Sequence, residues 1–391
     1  MKTDYDYIVL GCGGIGSAAL YWLARRAGAE VLGIEQFNLF HVNGGSQDYS
    51  RIIRHYYHKD CYARLTPHTY AAWETIREES GIQVVTKTGG VVIAYEGSPQ
   101  QATVERYAES LQPINVAYEW LDNAELAYRF PQFRPERPVK VCYQKDTGIA
   151  DPSRGNGAHI ALARGYGATI LAECPVYNVQ TSGDSVVVTT AQGTFTGRRL
   201  VVAAGAWTNT ALASLGFQIP LRVSQEQVTY FATPHLKEFA IGAFPVFQWK
   251  TDFSYYGFPV YGEVATKAAI DDTGAEVTAT TRTFDPNPAR EAQLSGWLAD
   301  HIPHFGGPKL YTKTCLYTMP PDRDFVLDTL PEQPNIFVAI GAGHAYKFAS
   351  FLGQVLSELA VDGQTKHDIS AFTTRRPAIL YPETGAVYQY R

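Results

Sequence analysis

A chain of 391 residues with 45% hydrophobic and 18% charged residues has the composition of an ordinary globular protein, long enough for two domains with separate cores. Its 33 Lys and Arg against 38 Asp and Glu leave a net charge of −5, which excludes the basic footprint of a nucleic-acid binder. Any anionic ligand must therefore be held by a few placed cations.

The five cysteines (Cys12, Cys61, Cys142, Cys174 and Cys315) are scattered and form no CxxC pair, so no metal site and no disulfide framework is expected. The opening MKTDYDYIVLGCGG runs directly into a strand, with no signal peptide expected. No run of about 18 apolar residues suggests a membrane span. The final VYQYR matches no targeting or lipidation signal. A cytoplasmic protein is the expectation.

The first predicted element is a strand, Tyr7 to Leu10, running into Gly11-Cys12-Gly13-Gly14-Ile15-Gly16. A helical pattern follows, and a second strand, Val31 to Ile34, ends at Glu35, 24 positions after Gly11. Each part has a mechanical reason. Gly11 permits a tight turn, Gly13 lets backbone approach a pyrophosphate, and Gly16 allows close helix–strand packing. The helix start offers free N–H groups and a favourable dipole to the phosphates. Glu35 can accept from both hydroxyls of an adenosine ribose, and its charge repels a 2′-phosphate. Together these features predict a dinucleotide, FAD or NAD.

Regular alternation of strands and helices then stops. A polar segment, FNLFHVNGGSQDYSRIIRHYYHKD, precedes an amphipathic helix from about Cys61 to Ser80. Residues 83–96 read as strands, 99–111 as helical, and 151–170 as helix then strand. DSVVVTTAQGTFTGRRLVVAAGAWTN reads as a hairpin leading into a buried strand and turn. Residues 218–270 are aromatic, alternating and strand-like, 286–302 are helical, and NIFVAIGAGHAYKFASFLGQVLSEL reads as buried strand, glycine turn and long apolar helix. Glycine turns at both ends with β segments between predict a discontinuous nucleotide domain interrupted by a substrate domain. The expected fold class is α/β (α+β, two domains): a Rossmann-type domain from 1–82, 147–217 and 319–391, and a mixed or antiparallel-sheet domain from 83–146 and 218–318.

The segments GCGGIG…IEQF, HVNGGSQDYSRIIRHYYH, TKTGGVVI, VVAAGAW, YYGFP, TCLYTMPPDRDFVLD and GAGHAYKFASFLGQVLSEL extend over nearly the whole chain. Jointly they resemble the monomeric sarcosine oxidase and N-methyltryptophan oxidase family, within the D-amino-acid-oxidase-like flavoproteins. The resemblance implies FAD, a monomer acting on a small-molecule amino acid, and oxidation of a secondary amine with O2 reduced to H2O2. It also implies roles residue by residue. Cys315 stands where the family bonds a cysteine sulfur to the flavin 8-methyl carbon, a reaction that needs a thiolate. Lys267 matches the oxygen-activating lysine, a cation that stabilises superoxide as it forms. Arg54 and Lys347 match the pair that grips the substrate carboxylate and aims the α-carbon hydrogen at flavin N5. Arg51 matches an arginine near the flavin ring, and Tyr256 and Tyr317 match aromatic residues of the substrate site. Ile15, Gln36, Ser50 and Val176 fall at cofactor-contact positions. The turn containing Gly343 and His344 is expected to present its N–H groups to the flavin N1–C2=O edge.

Departures from the sarcosine-oxidising pattern bear on the substrate. Ser46 and Gln47 replace a pair of histidines, and Asp271 replaces a histidine four residues after the lysine. Ala-Gly-His-Ala-Tyr-Lys replaces Ser-Gly-His-Gly-Phe-Lys. The present form, with an aspartate at position 271, resembles the branch that oxidises piperideine-2-carboxylate, a cyclic imino acid. Gln47 and Asp271 are therefore expected at the substrate, Asp271 holding a cationic amine or ring nitrogen. A dehydrogenase of the same fold using another acceptor, a nicotinamide enzyme, and a non-catalytic flavin-binding protein are the alternatives.

Overall fold

The computed structural model describes residues 2–382; the terminal VYQYR read above lies outside them. The strand Asp4–Leu10 pairs in parallel with Val31–Ile34 on one side and Gly193–Val202 on the other, and Gln333–Ile340 extends the parallel set. These strands belong to an eight-stranded sheet. Val31–Ile34 is buried throughout, as a parallel strand covered on both faces must be. One covering layer is the helix Gly14–Ala27 against the helices Pro152–Gly165 and Ala349–Asp362. Gly353 permits that contact: a Cβ there would lie 2.5 Å from the Ala18 backbone.

The second sheet has nine strands and is mixed. Gly90–Tyr95 runs parallel to Val246–Lys250, while Ser254–Phe258, Thr266–Asp271, Arg222–Phe231 and Lys309–Met319 pair antiparallel. The long pairing of Arg222–Phe231 with Lys309–Met319 brings Cys315 and Tyr317 into the sheet that carries Lys267 and Asp271. A third sheet of three short strands, Arg51–Ile53, Gly148–Ala150 and Val85–Lys87, crosses the expected boundaries at 82/83 and 146/147. Gly148 is needed there, since a Cβ would lie 2.1 Å from the Thr86 carbonyl oxygen.

The expected elements recur with small shifts. The first long helix spans Asp60–Ser80 with Pro67 inside it. Pro67 has no N–H for the Ala63 carbonyl, and the Thr66 hydroxyl donates to that oxygen instead at 2.7 Å. The polar segment after Glu35 is not wholly irregular, because Arg51–Ile53 is a strand. The C-terminal glycine turn does not open the last helix directly; a 3-10 turn, Tyr346–Phe348, precedes Ala349–Asp362. No described helix is long and apolar enough to cross a membrane.

Candidate active site

A cavity of about 340 Å³ runs between the first two sheets. At one end the glycine loop behaves as its sequence requires. Gly11 has φ +88° and a Cβ there would lie 2.6 Å from the Ala203 oxygen; a Cβ on Gly16 would lie 1.8 Å from the Gly11 oxygen. Gly16 thus serves the loop by packing and does not line the cavity, whereas Gly11, Gly13, Ile15, Glu35, Gln36 and Val176 do. The Gly14 N–H donates to Ser46 Oγ at 2.9 Å.

Glu35 is buried at the end of its strand and accepts from the Cys12 N–H at 2.9 Å and the Phe37 N–H at 3.1 Å. His41 Nε2 stands 3.4 Å away. Burial would raise the Glu35 carboxyl, but the His41 and Cys12 hydrogen bonds prevail and hold it below the usual range. A closely approachable loop ending beside a buried, ionised acid fits the ribose and pyrophosphate of a dinucleotide.

Midway along the cavity, Ser50, Arg51, Lys267 and Cys315 converge. Lys267 donates to the Ser50 hydroxyl and carbonyl, both at 2.9 Å, and its Nζ lies 2.6 Å from Asp48. Asp48 also receives Tyr230 and Lys313, with Arg51 at 3.6 Å. Burial opposes charge on Asp48, but Lys267 and Arg51 outweigh it and keep the carboxyl low. Burial conversely pulls Lys267 down to about 8, against the pull of Asp48. Arg51 donates to the Ser50, Gly45 and Gln47 carbonyls. Burial pushes the Cys315 thiol up to about 11, with Arg51 and Lys267 acting against it, so the protein by itself favours the thiol over the thiolate that a covalent bond to the flavin needs.

At the far end stand Arg54, Tyr256, Asp271, Tyr317, Gly343, His344 and Lys347, all lining the cavity. Arg54 donates to Gln248 Oε1 and is enclosed by the rings of Tyr56, Tyr57 and Tyr107 at 5.0, 4.8 and 5.2 Å. Lys347 donates to the His344 carbonyl at 2.8 Å; burial and the Arg54 charge drive its pKa well below the ordinary lysine value. Tyr317 donates to Asp271 at 3.2 Å. Gly343, at φ +78°, leaves room for that ring, since a Cβ would lie 2.6 Å from Tyr317 Cδ2. His344 stacks on Phe325 and approaches the Arg323 carbonyl at 3.3 Å.

One expected substrate residue stands elsewhere. Gln47 does not line the cavity; its amide donates to the Thr314 carbonyl at 2.6 Å. The adjacent Asp48 adopts φ 85°, and this left-handed residue turns the chain between the two side chains. The sequence reading also missed Asp48, Gln248, Arg323 and His41. Gln248 did leave a signal, a polar side chain between Phe247 and Trp249 in a run that is buried throughout. Asp48 lies three residues before Arg51, a weak sign of an ion pair.

Comparisons with known proteins point to a flavin-dependent oxidoreductase. The family model described as FAD dependent oxidoreductase matches residues 6–359. The chain is 32% identical over 389 residues to monomeric sarcosine oxidase of Arthrobacter sp. (strain TE1826), covering 98% of this chain and 99% of that protein. It is 29% identical over 381 residues to N-methyl-L-tryptophan oxidase of Yersinia pestis (strain Pestoides F), covering 95% and 99%. Among solved structures it is similar to the open form of NikD, described as an unusual amino acid oxidase essential for nikkomycin biosynthesis. The TM-score is 0.82 at 27% identity, covering 95% of this chain and 98% of that one.

Proposed function

Because the chain belongs to the family of FAD-dependent oxidoreductases, we propose that it oxidises the C–N bond of a secondary α-amino acid, N-methylated or cyclic, to an imine, with O2 reduced to H2O2. The observation that carries this reading is the pair of buried cations Arg54 and Lys347. Neither has a carboxylate partner among the described residues, and both line the cavity that holds the Asp271 carboxylate. Two buried cations without such a partner, and one acid in the same cavity, suit the carboxylate and the amine of one amino acid. Lys347, depressed by burial, regains its charge when a substrate carboxylate arrives.

FAD, when bound, would supply the redox chemistry of the C–N oxidation. The chain's own groups do the rest. Arg54 and Lys347 orient the carboxylate, and Asp271 holds the amine. Tyr256 and Tyr317 exclude water from the reacting carbon, and Lys267, steadied by Asp48, provides the positive charge where O2 is reduced. Arg51 and the turn at Gly343 and His344 add positive potential along the cofactor.

Cys315 is the proposed covalent tether. The cofactor domain is read as 1–82, 147–217 and 319–391, and the substrate domain as 83–146 and 218–318. The protein is read as a monomer, and its five free cysteines suit the reducing cytoplasm.

Anaerobic mixing with sarcosine, N-methylated aromatic amino acids, proline, pipecolate and unsaturated cyclic imino acids tests the reading. At least one should bleach the flavin and, on admitting air, yield stoichiometric H2O2. A flavin that no member of the panel reduces would overturn it, and reduction without H2O2 would point to another acceptor. After acid precipitation the yellow colour should remain with the wild-type pellet and leave that of Cys315→Ser; a colourless wild-type pellet excludes the tether.

A further inference from the structure

Glu226 is the buried acid that neither the sequence reading nor the proposed chemistry uses. It lies on the strand Arg222–Phe231, directly opposite Cys315 in an antiparallel pair, and Ser224 is opposite Tyr317. Residues opposite one another in such a pair project to the same face. The Glu226 side chain therefore enters the cavity side of the sheet, behind Cys315 and Tyr317.

Its hydrogen bonds explain what it does there. Oε1 accepts from Ser224 Oγ at 2.5 Å, and Oε2 accepts from the N–H groups of Thr273 and Gly274 at 3.1 and 3.0 Å. The carboxylate thus fastens the turn that follows Asp271. Position 274 is tightly packed against this strand: a Cβ there would lie 2.3 Å from the Gln225 carbonyl oxygen and 2.5 Å from Glu226 Oε1. Asp271, at the start of this turn, accepts from Tyr317.

The surrounding charges make Glu226 more than a structural peg. Asp272 in the same turn is matched by Arg323 at 2.6 Å and Arg222 at 3.3 Å. Glu226 has no cation partner among the described residues. The other titratable groups facing it are Asp271, Tyr256, Cys315 and Tyr317.

We propose that Glu226 is a positioning and specificity residue: it fixes the turn that presents Asp271 and places a second negative charge behind it, so that the site selects ligands bearing a cationic amine. This rests on the reading that Asp271 meets the substrate amine. Burial, reinforced by Asp271 and Asp272, raises the Glu226 carboxyl to about 7, so its charge is present above neutrality and lost below it.

The test uses the FAD-loaded protein and a matched pair of ligands: 2-aminoisobutyrate, which has no α-hydrogen to lose, and isobutyrate, which lacks the amine. Dissociation constants are read from the visible spectrum of the flavin between pH 5.5 and 9. In the wild type the affinity for 2-aminoisobutyrate should rise about tenfold as pH increases through 7, a step isobutyrate lacks. Glu226→Gln should abolish the step and weaken 2-aminoisobutyrate about tenfold at pH 8, leaving isobutyrate within about twofold. Gly274→Ala should weaken the amine ligand while keeping the step, because the carboxylate remains.

Equal losses for both ligands in Glu226→Gln, or a step that survives the substitution, overturn the inference and leave only a structural role. If Glu226→Gln yields no loaded protein, the wild-type curves decide: parallel curves for the two ligands overturn it, divergence near pH 7 supports it. Should neither ligand perturb the wild-type flavin, the amino-acid reading falls and takes this inference with it. Should amines bleach the flavin while Glu226→Gln matches wild type, this inference alone falls.

Discussion

The two ends of the cavity are built in different ways. The dinucleotide end is made of backbone: a glycine loop, the start of one helix and an acid at the end of the neighbouring strand, all within residues 4–35. The substrate end is made of side chains from distant segments, with Arg54 held by Gln248 and Asp271 held by Tyr317. A backbone site tolerates little change in shape but carries few side-chain roles. A side-chain site keeps its shape after a single substitution and loses one function at a time.

The sharpest way to break the comparison is at the glycine loop. Gly16→Val places atoms where even a Cβ would be 1.8 Å from the Gly11 oxygen, so no FAD-loaded protein should be recovered, as judged by visible absorbance. A yellow, active Gly16→Val would show that the loop is not rigid. Lys267→Met should instead fold and bind FAD, reduce at close to the wild-type rate, and reoxidise about 100- to 1000-fold more slowly in stopped flow.

The same lysine predicts a pH effect. With its pKa near 8, Lys267 carries its proton below that pH and loses it above, so the wild-type reoxidation rate should fall towards the Lys267→Met level in alkaline solution. The Lys267→Met rate should be flat across that range.

Arg54→Ala should lower kcat/KM by about 100-fold, chiefly through KM, since it removes one of the two cations proposed to bind the carboxylate while the tyrosine cage remains. Glu35→Gln should have the smallest effect, about fivefold weaker retention of FAD if the tether is absent, because one charge-assisted contact to a ribose contributes on the order of 1 kcal/mol. Measuring it in a Cys315→Ser background separates retention from covalent capture.

Much of the molecule was readable from residue order. The second strand stands where it was expected, Asp60–Ser80, Pro288–His301 and the strand Gln333–Ile340 fall within two residues of their expected positions, and the first strand begins three residues earlier, at Asp4. These are local patterns, in which periodicity and turn chemistry act over a few residues. The place of Gln47, off the cavity lining, was not legible because a single left-handed residue, Asp48, sends neighbouring side chains to different partners, which no periodicity records. The burial that raises the Cys315 thiol is likewise invisible in the sequence, because burial is a tertiary quantity. The three-stranded sheet escaped notice because each strand is only three residues long.

By itself the sequence determined the phosphate loop, the acid after the second strand and the order of elements, since each depends on neighbours along the chain. It also named the cations and the thiol through their motif context. Only the tertiary structure decided what those side chains meet: Lys267 on Asp48, Arg54 on Gln248, and Glu226 beneath the turn after Asp271. These contacts join strands from distant parts of the chain, and burial removes the water that would otherwise level their charges. The cofactor end is therefore written in the sequence, and the electrostatics of the substrate end are a product of the fold.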